Sequence, residues 1–252
     1  RGLFVSQGHT YQKRPPIFLI IILGALTAIG ALSIDMFLPG LPQIRSDFNT
    51  TASAAQLTLT LFMVGLAFGN LIMGPLSDAY GRKQPLIIVM VIYTIASIGI
   101  VFSVNITMMI SLRLIQGLCA GAAAVISRAI ASDMYHGKAL TKFLAVLMLV
   151  NGVAPVIAPA LGGIILLFST WHMVFIILTI FGIFMVFSTS IRVPESLSKQ
   201  AREPADIKSI LIQFKRLLKR PRFVLPMLLQ GMTFVILFSY ISASPFITQR
   251  IY

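Results

Sequence analysis

The side chains able to do chemistry are few, and most sit in apolar surroundings. Asp35 lies near the end of an apolar run that begins at Ile17, and no other acid lies well inside such a run. Arg113 and Gln116 interrupt a later run about one helical turn apart. Placing a charge in hydrocarbon costs roughly 2.5–3.5 kcal/mol on insertion scales, so such residues usually mark an ion or substrate pathway. An acid and an arginine in this setting can bind and release a proton, because burial and a nearby positive charge act on the carboxyl proton in opposite senses. Simpler readings stand beside this one: Asp35 as an interfacial acid that reaches water, and Arg113 as a snorkelling side chain. A second charged pair, Asp78 and Arg82, lies in a polar stretch between two apolar runs. Enzymatic chemistry is not expected. There are no paired catalytic carboxylates and no nucleophile motif, and Cys119 with three scattered histidines offers no metal spacing.

Composition says what must position these residues. The chain is 57% hydrophobic and only 11% charged over 252 residues, where a soluble domain is about one quarter charged. It reads as an all-α membrane protein. A formal net charge of +13 could suggest nucleic acid, but the positive residues cluster in loops between apolar runs, so no nucleic-acid partner is expected.

The spans follow from length, since about 20 apolar residues cross a bilayer core. Residues 1–16 form a polar tail carrying Arg1, Lys13 and Arg14, and the absence of an initiator methionine reads as a trimmed start. Ile17–Leu38, too long for a signal-peptide core, is the first span. Further spans are expected at Ala55–Met73, Leu86–Phe102 and Met108–Ser132, then two more in the uncharged stretch between Lys142 and Arg192, broken at Phe168–His172. Together, residues 17–190 make a six-helix bundle. A charged connector, 191–222, holds a basic amphipathic stripe (Ile207, Ile210, Leu211, Phe214, Leu217, Leu218) suited to lying on anionic lipid. Residues 223–252 make a seventh span. Gly65-x-x-x-Gly69 and Gly117-x-x-x-Gly121 mark faces for close helix contact. Arg113, Gln116, Gly117, Ala120, Ala124 and Ser127 share one small, polar face of the fourth span, which suits a lined cavity better than lipid.

Lys and Arg number three in the tail, two between spans two and three, two between spans four and five, and nine in the connector. The opposite side holds only Arg45 and Arg250. By the positive-inside rule the N-terminus is cytoplasmic. That orientation disfavours a seven-helix receptor, and the seventh span has no lysine for a retinal Schiff base.

Four stretches resemble one family. The polar hairpin Gly74-Pro75-Leu76-Ser77-Asp78-Ala79-Tyr80-Gly81-Arg82-Lys83-Gln84-Pro85 resembles the loop signature of the major facilitator superfamily, between its second and third helices. Asp35-Met36-Phe37-Leu38-Pro39-Gly40-Leu41-Pro42 is similar to the D-x-x-x-P-x-x-P element of its drug exporters, in particular the bicyclomycin/chloramphenicol-resistance branch. Arg113-Leu114-Ile115-Gln116-Gly117 resembles the fourth-helix R-x-x-Q-G motif. Gly152-Val153-Ala154-Pro155-Val156-Ile157-Ala158-Pro159-Ala160-Leu161-Gly162-Gly163 resembles the fifth-helix antiporter motif, with Ala154 and Ala158 where two glycines are usual. An ordinary proline-kinked packing helix is the plainer reading of that last stretch.

The resemblance implies a fold of twelve helices in two halves, of which this chain reads as the first half, the connector and the first helix of the second. It therefore reads as a fragment or a truncated product whose partner is the missing C-terminal half. For the intact protein, the resemblance implies a multi-pass proton-coupled multidrug efflux antiporter of the bacterial cytoplasmic membrane, acting on small lipophilic or cationic substrates, with the proton as coupling ion and no cofactor or metal. It gives proton and substrate coupling to Asp35, Arg113 and Gln116. It gives a cytoplasmic gate to Gly74, Asp78, Gly81, Arg82 and Lys83, with Asp133 as partner, and a helix kink to Gly152, Pro155, Pro159, Gly162 and Gly163. The alternatives are a metabolite transporter of the same fold and a non-transporting remnant.

Overall fold

Long apolar runs without strand periodicity leave the backbone one way to satisfy its own hydrogen bonds in a bilayer, and the chain takes it: it is helical. The computed structural model describes residues 16–202 and 218–251. Its long helices are α1 (Ile17–Asp35), α3 (Ala52–Tyr80), α4 (Lys83–Val101), α5 (Ile106–Met134), α6 (Gly137–Phe168) and α7 (Trp171–Arg192), with a short α2 (Leu41–Asp47) between the first two and α8 (Pro221–Ile251) after the connector. Six of them, α1 (continued through α2) and α3 to α7, are long and apolar enough to cross a membrane. Their outward faces are apolar as well as their inward ones: Ile95 of α4 and Phe184 of α7 are both 61% exposed. A helix apolar all round belongs in lipid.

Sequence boundaries differ from the helices in two informative places. The hairpin expected at 74–85 is mostly helix. α3 continues through Gly74, Pro75 and Asp78 to Tyr80, and α4 starts at Lys83, so only Gly81 and Arg82 turn the chain. Pro75 removes one backbone donor, the one that would reach the carbonyl four residues earlier, yet the helix runs on through it to Tyr80. Gly81 ends it with φ +91°, a conformation that costs other residues a clash with their own Cβ. The first span is also cut short: α1 stops at Asp35, and the chain passes through a 3-10 turn at Leu38–Gly40 into α2, with Pro39 and Pro42 in the first turns of those two elements. The amphipathic stripe of the connector lies almost wholly at 207–217, outside the described residues.

α5 is the centre of the bundle. It packs on α1, α3 and α4, while α7 lies against α4 and α6 against α1. The contact with α3 is the most extensive, and its cause is the two glycine pairs. A Cβ on Gly65 or Gly69 would collide with the carbonyl oxygens of Leu114 or Leu118, and one on Gly117 or Gly121 with those of Phe62 or Leu66. The two G-x-x-x-G faces thus pack on each other reciprocally, backbone against backbone. Lipid offers no hydrophobic drive for helices to associate, so this close packing is what holds the pair. On α6, Ala154, Ala158 and Gly162 form the buried stripe, and a Cβ on Gly162 would strike the backbone of Met36.

Candidate functional site

Two polar clusters stand out from this apolar bundle. The first surrounds Arg113. Its guanidinium is fully buried, between the rings of Phe62 (4.3 Å from the ring centroid), Phe37 (4.4 Å) and Phe175 (5.6 Å). These rings come from α3, the segment after α1, and α7. Arg113 Nη1 donates to Gln116 Oε1 at 2.8 Å and to the Ser33 carbonyl oxygen at 3.0 Å. Gln116 Nε2 donates in turn to Ser97 Oγ at 2.7 Å. The cation is therefore held by π faces and by the C-terminal turns of α1, where backbone carbonyls carry partial negative charge. Nε and Nη2 of Arg113 have no protein partner among the described residues.

Asp35 ends α1 two residues beyond that Ser33 carbonyl and is 5% exposed. Among the described residues it forms no ion pair and takes no hydrogen bond on its side chain. The structure thus brings Arg113 and Gln116 into one cluster at the end of α1 but does not pair Arg113 with Asp35. The small polar face of α5 is also closed rather than open. Arg113, Gln116 and Ser127 are each 0% exposed, packed among neighbouring helices instead of lining an open cavity.

The second cluster lies at the other end of the bundle, around Arg82. Its Nη2 pairs with Asp78 Oδ1, its Nε with Asp133 Oδ2 at 2.9 Å, and its Nη1 donates to Ser77 Oγ at 2.6 Å. Burial works against this charge, but hydrogen bonding and attraction from Asp133 and Asp78 outweigh it and hold the guanidinium above its ordinary pKa. The backbone N–H groups of Arg82 and Lys83, at the start of α4, donate to Glu195 at 2.8 and 3.3 Å. A carboxylate there satisfies exposed donors and meets the positive end of the helix dipole. Ser196 Oγ donates to Asp133 Oδ2 at 2.9 Å, and Arg202 pairs with Glu195 at 3.7 Å. Gly81 is hemmed by those same side chains, Glu195 and Arg202. Gly74 lies apart, in the α3 helix three residues before Ser77, with only Val125 at 4.0 Å from where its Cβ would stand.

Sequence reasoning reached Asp78, Arg82 and Asp133 but missed Glu195, Ser196 and Ser77. It also missed Ser33, Tyr93 and Ser97 around Arg113. The signal for Glu195 was weak, an isolated acid in a basic connector; Tyr93 and Ser97 were legible only as polar residues four apart in a span. The fifth-span residues divide. Gly162 makes a close contact, while nothing approaches within 4 Å of a Cβ on Gly152 or Gly163; Pro155 and Pro159 lie inside an unbroken α6. Among the described residues no group of three or more His, Cys, Asp or Glu could hold a metal.

Residues 14–251 match the profile of the Major Facilitator Superfamily. The chain belongs to that family. It is 40% identical over 246 residues to an uncharacterized MFS-type transporter, YdgK, of Bacillus subtilis, covering 97% of this chain and 61% of the relative. It is 28% identical over 241 residues to a bicyclomycin resistance protein homolog of Haemophilus influenzae, covering 96% of this chain and 61% of the relative. The chain thus spans about three-fifths of the length of these two superfamily members. Among solved structures, the human organic anion transporter MFSD10 (TETRAN) superposes with a TM-score of 0.60 over 82% of this chain and 57% of that one. At 16% identity this likeness concerns the fold. The chain is a multi-pass membrane protein with the superfamily's all-helical fold.

Proposed function

We propose that this chain works, together with a second six-helix half, as a proton-coupled exporter of small lipophilic or cationic drugs in the bacterial cytoplasmic membrane. The observation that carries the reading is the end of α1. There a buried acid, Asp35, ends α1, and a buried arginine of α5 reaches the same helix end at the Ser33 carbonyl. Its Nε and Nη2 are unpartnered among the described residues, and the two side chains are not paired. Each has unused capacity, so a small shift of α1 against α5 would join them. A carboxylate engaged by Arg113 does not hold a proton; one left alone in an apolar setting does. Alternation between the two states binds a proton on one side of the membrane and releases it on the other. Arg82, with Asp78, Asp133 and Glu195, ties the ends of α3, α4 and α5 to the connector. This cluster closes the cytoplasmic end in one of the two states and opens in the other. The resistance name borne by the Haemophilus relative supports drugs as the cargo.

The test is transport in inverted membrane vesicles from cells expressing the intact transporter. An imposed inward-acid gradient is expected to drive uptake of lipophilic cations and chloramphenicol-like compounds, and dissipating it with a protonophore to stop uptake. Gradient-driven uptake of sugars or amino acids instead would assign a metabolite transporter, and no uptake of any solute a remnant.

A further inference from the structure

The hydrogen bonds around Arg113 form a closed ring through α1, α4 and α5, and their directions are fixed by proton count. Each serine has one hydroxyl proton. Ser33 spends its own on the Ile29 carbonyl at 2.7 Å, so the 2.6 Å contact with Tyr93 requires the tyrosine hydroxyl to be the donor. Ser97 spends its own on the Tyr93 carbonyl at 2.8 Å, so its oxygen is free to accept from Gln116 Nε2. That orients the Gln116 amide with Oε1 facing Arg113, which donates to it and to the Ser33 carbonyl. Ser33, Tyr93, Ser97, Gln116 and Arg113 are all fully buried, so no water substitutes for a lost partner without a rearrangement.

We propose that Tyr93 and Ser33 are positioning residues for proton coupling: their bond pins the last turn of α1 to α4, and so sets where the Ser33 carbonyl and Asp35 stand relative to Arg113. Tyr93 touches neither Asp35 nor the guanidinium by a hydrogen bond. It acts through the helix end that both of them share. This inference rests on the coupling role given above to Asp35 and Arg113, but the geometry of the ring does not depend on it.

Tyr93→Phe removes one oxygen and no ring volume. In the intact transporter it is expected to lower the maximal rate of pH-gradient-driven export roughly tenfold, the order expected for loss of one fully buried hydrogen bond. The concentration of drug giving half-maximal rate should move much less. Ser33→Ala should match it, and Ser33→Thr, which keeps the hydroxyl, should restore export. In an Arg113→Ala background Tyr93→Phe should add nothing, because the guanidinium against which it positions the end of α1 is gone. Arginine-specific labelling with phenylglyoxal, read at Arg113 by mass spectrometry in purified protein, gives a second measure free of any proton gradient. Arg113 should be protected in the wild type and labelled several-fold faster in Tyr93→Phe. Wild-type export with Arg113 still protected in Tyr93→Phe, or additive losses in the double variant, would overturn the proposal. If the wild type ignores the pH gradient, the coupling role fails instead, and the labelling alone decides whether the ring positions Arg113.

Discussion

Asp35 and Arg113 give the sharpest expectation at the level of single residues. Asn keeps the shape and hydrogen-bonding capacity of Asp but cannot change charge. Asp35→Asn in the intact transporter should therefore be made and inserted normally, yet lose uphill efflux driven by a pH gradient, while Asp35→Glu should keep part of it. Transport in reconstituted vesicles checks this, and undiminished gradient-driven export by the Asn variant would remove Asp35 as the proton carrier. The residue types were legible from sequence because hydrocarbon makes a charge conspicuous. Their relation was not. Helical periodicity set Arg113 and Gln116 on one face of a helix, and the structure joins them at 2.8 Å. But whether Arg113 meets Asp35 or the Ser33 carbonyl depends on where α1 ends, a matter of one turn. Three aromatic rings from distant segments complete the setting, and no local pattern announces them.

At the scale of helices, glycine spacing was informative and proline spacing misleading. The pairs Gly65/Gly69 and Gly117/Gly121 were readable as contact faces, but only the fold shows that they face each other. Gly74-Pro75 looked like the end of a helix; the helix instead runs to Gly81, where the turn needs a positive φ and the Arg82 cluster fixes it. These glycines separate into those that a side chain would wreck and those it would not. Gly117→Val should push α5 off the Phe62 backbone and destabilise the bundle by about 1–3 kcal/mol or more, the usual range for overpacking. Gly152→Ala, with nothing within 4 Å of the added carbon, should leave folding intact. Thermal unfolding in detergent, followed by size-exclusion chromatography, is the check. Equal melting temperatures for the two variants would mean that the α3–α5 contact is looser than the backbone positions require.

For the whole molecule, the positive residues predict a direction and the helices supply the geometry that tests it. Arg82 in the turn after α3, Asp133 at the end of α5 and Glu195 after α7 meet in one cluster, so these three segments lie at the same end of the bundle. Gln43 and Asp47 of α2 accept hydrogen bonds from the backbone and indole N–H of Trp171 at 3.0 and 2.8 Å, which ties the α1–α3 connection to the start of α7 at the opposite end. The chain thus alternates ends with each crossing, and fixing one loop fixes all of them. The basic end is expected in the cytoplasm, because Lys and Arg near short loops resist translocation. Two exposed positions decide it: Tyr80, 61% exposed beside the Arg82 cluster, and Val104, 82% exposed in the turn between α4 and α5. Cys119, the one native thiol, is buried and gives little background. A membrane-impermeant maleimide should label Val104→Cys in intact cells and Tyr80→Cys only after permeabilisation. The reverse pattern would turn the bundle over and put the Arg82 cluster outside the cell, where it could not close a cytoplasmic entrance.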